Sequence, residues 1–369
     1  MMPDGLDYKL IVNAGMLEYF DFRPLSGFVY TNNQIKGLPL NFKDAVTSGM
    51  LGLFQVPKFI KFITNVQQYD PNNPSTHFFS KLDTAVDCLK KYGFTSTDQI
   101  SWASYAFALH QDQKESLAPA EDSILNIQTY MKSCMMLKDF TKDTYSPFMY
   151  ISFGSGEFCQ GCARKSSVYG GTYRLNCDLK QILFNDQGKV RGVIFYDGMI
   201  ENKDIEVECK SIILDPELAP EEYCEKNGTI VRKVIISKQP IVGTKGKSCQ
   251  IILPPDPKVG KISVTYMCQL SDINNVCPQG YYIIVISTKK NFLMDKTNVK
   301  DFVIADKIVQ GLRIVDTLHF SSPIYKPKPG LDKKGIFISN GCDSSTHFQH
   351  QIKDAFEIAT KVKNYLSIN

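Results

Sequence analysis

The sequence predicts an α/β protein in which a larger, sheet-rich lobe is interrupted by a smaller all-helical one, and three observations carry that assignment. Apolar residues recur at three- and four-residue spacing between positions 41 and 145, and the period shifts towards two after 146. The regimes meet at residues 146–176, SPFMYISFGSGEFCQGCARKSSVYGGTYRLN, where an apolar run from Phe148 to Phe153 stops at Gly154-Ser155-Gly156. A helix-compatible stretch follows until Gly170-Gly171 breaks it, which gives the strand, turn, helix, strand layout of a nucleotide-fold crossover. A phosphate is the usual occupant of such a helix start, because free N–H groups and the helix dipole favour negative charge. Here Glu157 already supplies that charge and would repel a pyrophosphate. The turn either faces a basic partner or simply opens a helix with a favourable acidic residue.

Within the helical region, Leu51, Phe54, Phe59, Phe62 and Ile63 make a first face, with Pro57 near the helix start. A second helix is expected from Phe78 to Tyr92, presenting Phe79, Leu82, Ala85 and Leu89 and ending at Gly93. Asp98 can cap a third, carrying Ile100, Trp102, Tyr105, Ala106 and Leu109. A fourth, from about Pro119 to Lys138, would turn Ile124, Ile127, Met131, Cys134, Met135 and Leu137 inward. Strands are expected over Asp178–Asn185 and Lys189–Tyr196, joined by the turn Asp186-Gln187-Gly188, then over Ile205–Asp215, Val231–Ser237 and Cys249–Leu253. Ser263–Leu270, Tyr281–Thr288 and Gly335–Ser339 complete them, and His319 falls in a strand-like context. The chain closes with a helix whose stripe is Phe348, Ile352, Ala355, Phe356, Ala359, Val362 and Leu366.

A chain of 369 residues exceeds the usual single-domain size, so two lobes are the default. Its 43% hydrophobic fraction supports a sizeable core. The net charge of +4 is small and scattered, which argues against nucleic acid or a polybasic membrane footprint. No stretch reaches the roughly 18 to 20 apolar residues that span a bilayer, and Met1-Met2-Pro3-Asp4 does not open a secretory signal. A cytosolic protein is expected. Eleven cysteines, an odd count, fit reduced thiols better than a disulfide framework. Cys159-x-x-Cys162 has the spacing of a redox or zinc half-site at a helix start, where a thiolate would be favoured. A closed zinc site needs four ligands, though, and no second pair accompanies it. His347-x-x-His350 reads as a solvated or capping pair, and His110 sits in no catalytic context.

The run Gly154-x-Gly156-Glu157, Gln160-Gly161, Ala163-Arg164, Tyr169-Gly170-Gly171-Thr172-Tyr173 and Leu175-Asn176 resembles the signature of the Rab GDP dissociation inhibitors and Rab escort proteins. Further matches follow in order: Glu18-Tyr19 with Asp21-Phe22, Ser26 to Tyr30, Gly52-Leu53-Phe54 with Lys58-Phe59, Ser248 to Ile252, and Ile336 to Ser339 with Thr346-His347-Phe348. The resemblance implies an FAD/NAD(P)-binding-like larger lobe, residues 1–40 and 146–369, that binds Rab, and a helical lobe, residues 41–145, that binds prenyl lipid. The family's first βαβ unit, with its Gly-x-Gly-x-x-Gly turn, has no counterpart here. Lys9 to Arg23 resembles the helix that follows it, and Ser146 to Phe153 resembles the family's mobile, membrane-delivering loop.

By the same resemblance, Glu157, Arg164 and Thr172 fall on Rab-contacting positions. Arg174 stands among them where the family usually has methionine. Ile124, Met131, Cys134 and Met135 would line the prenyl pocket. The implied protein is a non-enzymatic chaperone without a cofactor, a monomer of the cytoplasm that touches membranes transiently. Its partners would be GDP-bound Rab GTPases and their geranylgeranyl groups. Compactness favours the inhibitor over the escort type; a flavin oxidoreductase of the same fold and a non-binding paralogue are the other readings.

Overall fold

The computed structural model describes residues 1–38, 42–111, 117–139, 146–256, 261–290 and 301–368. Asn41 and Tyr145, the expected limits of the helical lobe, lie outside the described residues. The chain forms two compact units, one of Met1–Phe158, Val231–Ser321 and Ser344–His347, the other of Cys159–Ile230, Ser322–Asp343 and Phe348–Asn369.

Helix α1 (Leu6–Asn13) is short, because Gly15 takes a left-handed φ of 61° and turns the chain. The helix expected over Lys9–Arg23 therefore ends early, and a single 3-10 turn leads into β1 (Phe22–Thr31). Asn32 and Asn33, both left-handed, fold β1 back onto β2 (Gln34–Lys36), the geometry of a two-residue hairpin. Helix α2 (Phe42–Thr47) precedes α3 (Val56–Gln68), which carries Pro57 in its first turn and buries Phe59, Phe62, Ile63 and Val66. Phe54, expected on that face, lies ahead of the helix and is 96% exposed.

Helix α4 (Ala85–Lys91) begins later than the apolar spacing suggested. A reciprocal Thr84–Asp87 capping box fixes its start, which leaves Leu82 in solvent. Helix α5 (Thr97–Trp102) is capped by Ser96 with Gln99, so Asp98 sits inside the first turn rather than capping it. A π-helical turn, Ala103–Phe107, continues α5, and α6 (Ala120–Met136) packs on the preceding helices. Phe59, Phe94 and Trp102 meet with ring centroids 5.5 to 6.3 Å apart at the centre of this core.

Strand β3 (Phe148–Ile151) pairs antiparallel with β1. It is followed by α7 (Gly156–Val168) and then by β4 (Cys177–Phe184), β5 (Val190–Asp197) and β6 (Lys203–Glu208), which form a separate antiparallel sheet. The expected crossover is thus absent, since the strands either side of α7 belong to different sheets. Ser146 to Phe153, read as a mobile loop, is instead largely buried, with Phe148, Met149 and Ile151 all in the interior.

After β7 (Ile212–Leu214) come β8 (Cys224–Ser237), β9 (Cys249–Leu253), β10 (Thr265–Leu270) and β11 (Tyr282–Lys290). Helix α8 (Val303–Val309) and β12 (Ile314–Pro327) follow. The main sheet runs β12-β8-β11-β10-β9-β1-β2, with β3 also on β1, and β1 is parallel to β9. Side chains alternate across it. Ile252, Tyr266, Cys268 and Leu270 face the helical core, whereas Ile251, Met267, Ile284 and Ile286 face a second core with Ala305 and Val309 of α8. Both faces being covered, β9 and β10 are buried at every residue.

Strand β13 (Ile336–Ile338) pairs parallel with β7, and α9 (Gln349–Ile368) closes the chain. Its buried residues include Asp354 and Ile358, while Phe356, expected inside, is half exposed. Asp354 faces inward because its carboxylate accepts hydrogen bonds from the backbone and side chain of Asn340.

Candidate functional site

Two places gather the residues singled out above. The first begins where β3 ends. Ser152 N–H donates to Asp21 O at 2.8 Å and Phe153 N–H to Asn274 O at 2.9 Å, which pins the turn at both sides. Phe153 and Gly154 then take left-handed φ values of 67° and 113°, reversing the chain so that α7 starts at Gly156 with Glu157 in its first turn. Glu157 is half-buried and complements the dipole; Arg164, seven residues on, lies two turns along the same face and is exposed.

The helix stops at a glycine pair. Gly170 and Gly171 N–H groups donate back to Ser167 and Ser166 carbonyls at 3.0 Å, and a Cβ on Gly171 would stand 2.3 Å from Ser166 Oγ. Thr172, Tyr173, Arg174 and Leu175 follow in an exposed, extended loop. Arg174, however, is not simply presented to solvent: its guanidinium donates to the carboxylate of Asp197, which is 1% exposed. Asp197 Oδ1 also accepts from the N–H groups of Ile200 and Met199, at 2.9 and 3.0 Å. Those backbone donors and the Arg174 guanidinium hold the Asp197 carboxyl below the usual carboxylate range.

A lowered folded pKa means the folded state keeps fewer protons than the unfolded chain as pH falls. Asp197 therefore contributes stability that is complete above about pH 4 and lost as pH drops through its folded value. Melting temperatures followed from pH 6 to pH 3 should fall more steeply for the native chain than for Asp197→Asn; equal slopes would show that this carboxylate is not a determinant of acid stability.

The cysteine pair on α7 is split in its surroundings. Cys159 is exposed, but burial pushes the Cys162 thiol up rather than down, against the expectation for a helix start. No group of three or more His, Cys, Asp or Glu side chains that could hold a metal occurs among the described residues.

The second place is inside the helices. Phe62 of α3, Cys88 and Leu89 of α4, Ser104 of the π turn, and Ile124 and Ile127 of α6 enclose a space of about 10 Å³, room for about one water molecule. Ser104 Oγ is buried there with no hydrogen-bond partner, and His110 Nε2 lies 2.7 Å from Ser123 Oγ at its wall. Of the four residues assigned to the lipid pocket, Ile124 lines this space, and Met131 and Cys134 are buried in the surrounding core. Met135 is 67% exposed. It follows Cys134 by one residue, so about 100° of helical turn carries it off the inner face.

The match to the model of the GDI: GDP dissociation inhibitor family runs over residues 1–366. The chain belongs to the GDP dissociation inhibitor family. Among relatives, Rab GDP dissociation inhibitor beta of Canis lupus familiaris is 31% identical over 360 residues, covering 96% of this GDI-family chain and 76% of the relative. The rat protein of the same name is 31% identical over 371 residues, with 98% and 78% covered. The crystal structure of a Rab GDI from Plasmodium falciparum superposes with a TM-score of 0.82 at 22% identity, over 99% of this chain and 80% of the other. An oxidoreductase from Methanosarcina mazei shares the fold at a TM-score of 0.58 and 11% identity, over 97% and 86%. Both structures agree with the α/β, FAD/NAD(P)-binding-like architecture expected from the sequence. No helix among the described residues of this family member is long and apolar enough to cross a membrane.

Proposed function

We propose that the chain binds GDP-bound, prenylated Rab GTPases, lifts them from membranes and slows their GDP release, without catalysing a reaction. The observation that carries this reading is the family match through residues 1–366, which includes the turn, helix and loop bearing Glu157, Arg164 and Thr172. In this reading the sheet-rich residues 1–40 and 146–369 supply the Rab contacts, and the helical residues 41–145 take up the lipid. The protein works from the cytoplasm as a monomer and meets the membrane transiently.

Physical chemistry accounts for the division of labour. A geranylgeranyl chain gains on the order of 10 kcal/mol or more on leaving water, whether it enters a bilayer or an apolar cleft. The cleft only has to compete with the bilayer, and contacts that read the GDP state supply the preference. The space beside Ile124 is far below the roughly 300–1,000 Å³ of a ligand pocket, so lipid uptake must part α3, α4 and α6. A buried, unpartnered hydroxyl and a π-helical turn stand at its wall, where such opening would begin.

The test mixes the protein with membranes carrying prenylated, GDP-loaded Rab and measures Rab in the soluble fraction. Glu157→Lys should lower that recovery by about tenfold, because a charge reversal at a docking contact sets like charges together. Melting curves separate this from the smaller loss of helix-dipole stabilisation. No release by the native protein, or a flavin absorption band in the purified chain, would replace this reading with another.

A further inference from the structure

The strongest unassigned feature is the junction of two loops in the second unit. Asn176, at a left-handed φ of 55°, turns its carbonyl to accept the Gly198 N–H at 3.1 Å, and a Cβ on Gly198 would stand 2.7 Å from the Asn176 amide. Arg174 and the two backbone donors converge on Asp197 beside this contact. Two bonds, Arg174 to Asp197 and Gly198 N–H to Asn176 O, therefore tie the 172–176 loop to the turn that joins β5 to β6, and two more, from Met199 and Ile200 N–H to Asp197, close that turn.

What the lock displays is apolar. Tyr173, Leu175, Met199 and Ile200 are 57%, 70%, 64% and 72% exposed. Leu175 and Met199 flank the Asn176–Gly198 hydrogen bond, and the Glu201–Lys203 ion pair at 2.8 Å borders Ile200 with charge. An apolar centre with a charged border is the anatomy of a protein-docking surface. The same loop carries Thr172, so the patch continues the face already assigned to the GTPase.

We propose that the Arg174–Asp197 pair is a positioning device: it presents Met199 and Ile200 beside Tyr173 and Leu175 as an apolar extension of the face that docks the GDP-bound GTPase. The proposal rests on the function proposed above. Arg174 acts from within the surface, turned onto Asp197, and the apolar contact comes from its neighbours. The partner this fits presents an apolar surface segment to that extension.

Binding of GDP-loaded, prenylated Rab to the full chain would be measured for the native protein, Met199→Glu/Ile200→Glu, Arg174→Met, Arg174→Lys and Glu157→Lys, alongside thermal melting and amide exchange. The double glutamate variant should weaken binding about tenfold or more without lowering the melting temperature, since both side chains stand in solvent. Arg174→Met should speed exchange of the Met199 and Ile200 amides and weaken binding several-fold, and Arg174→Lys should recover part of both. Should the double variant bind as the native chain does while Glu157→Lys binds poorly, the extension is refuted and the docking reading survives. A double variant that changes only self-association would assign the patch to a second copy and overturn the proposal. A native chain that binds no Rab overturns both.

Discussion

Phe62→Ala is expected to cost about 3–5 kcal/mol of unfolding free energy, seen as a lower urea midpoint with an unchanged slope. Phe62 is fully buried, its ring lies 5.4 Å from that of Tyr92 and 5.6 Å from that of Phe94, and it walls the space beside Ile124. Removing it enlarges a cavity that the helices have already failed to fill, so little relaxation can offset the loss. Against a typical total of about 5–15 kcal/mol, such a change approaches unfolding. A cost below about 1 kcal/mol would mean that these helices are not packed as described.

Gly192→Val should be the most damaging change in the small antiparallel sheet, at about 2–3 kcal/mol. A Cβ at Gly192 would stand 2.7 Å from Val207 O and 3.4 Å from Glu208 Cα, so the obstacle is the backbone of the next strand and cannot swing aside. The expected readout is faster amide exchange across β5 and β6, and with it a loosened Met199–Ile200 turn. Gly188→Ala is the control: nothing lies within 4 Å of its added Cβ, so only its left-handed φ of 72° is strained. Equal exchange in the two variants would contradict the close approach of β5 to β6.

Much of this architecture was legible from periodicity, and the failures have physical causes. β9 matched because the apolar run Ile251-Ile252-Leu253, following Cys249 and Gln250, is cut off by Pro254-Pro255. α4 and α5 were misplaced at their starts because side-chain caps, Thr84 with Asp87 and Ser96 with Gln99, set a boundary that apolar spacing does not encode. β12 gave no element-length signal: an edge strand exposed over most of its residues has no buried face to impose alternation. On α9, Asp354 took an inward position for its bonds to Asn340, a long-range partner no local pattern reveals.

At the candidate site, the sequence placed Glu157 and Arg164 on a turn and the helix it opens, as found, but expected a strand at Thr172, where the chain is a loop. It missed Asp197, Met199 and Ile200, which come to Arg174 only through the pairing of β4 with β5. The Asp197-Gly198 dipeptide closing an alternating run was the available sign, since it marks a turn whose carboxylate can cap its own backbone.

Because successive residues of β9 and β10 enter opposite cores, this part of the chain has no tolerance for a change of frame. Sliding β9 by a single position would exchange Ile251 with Ile252 and send every inward group of one layer into the other, where the complementary shapes are wrong. Lengthening or shortening this segment by one amino acid is therefore far more disruptive than any conservative replacement within it, and natural variation in length belongs in the connecting loops instead.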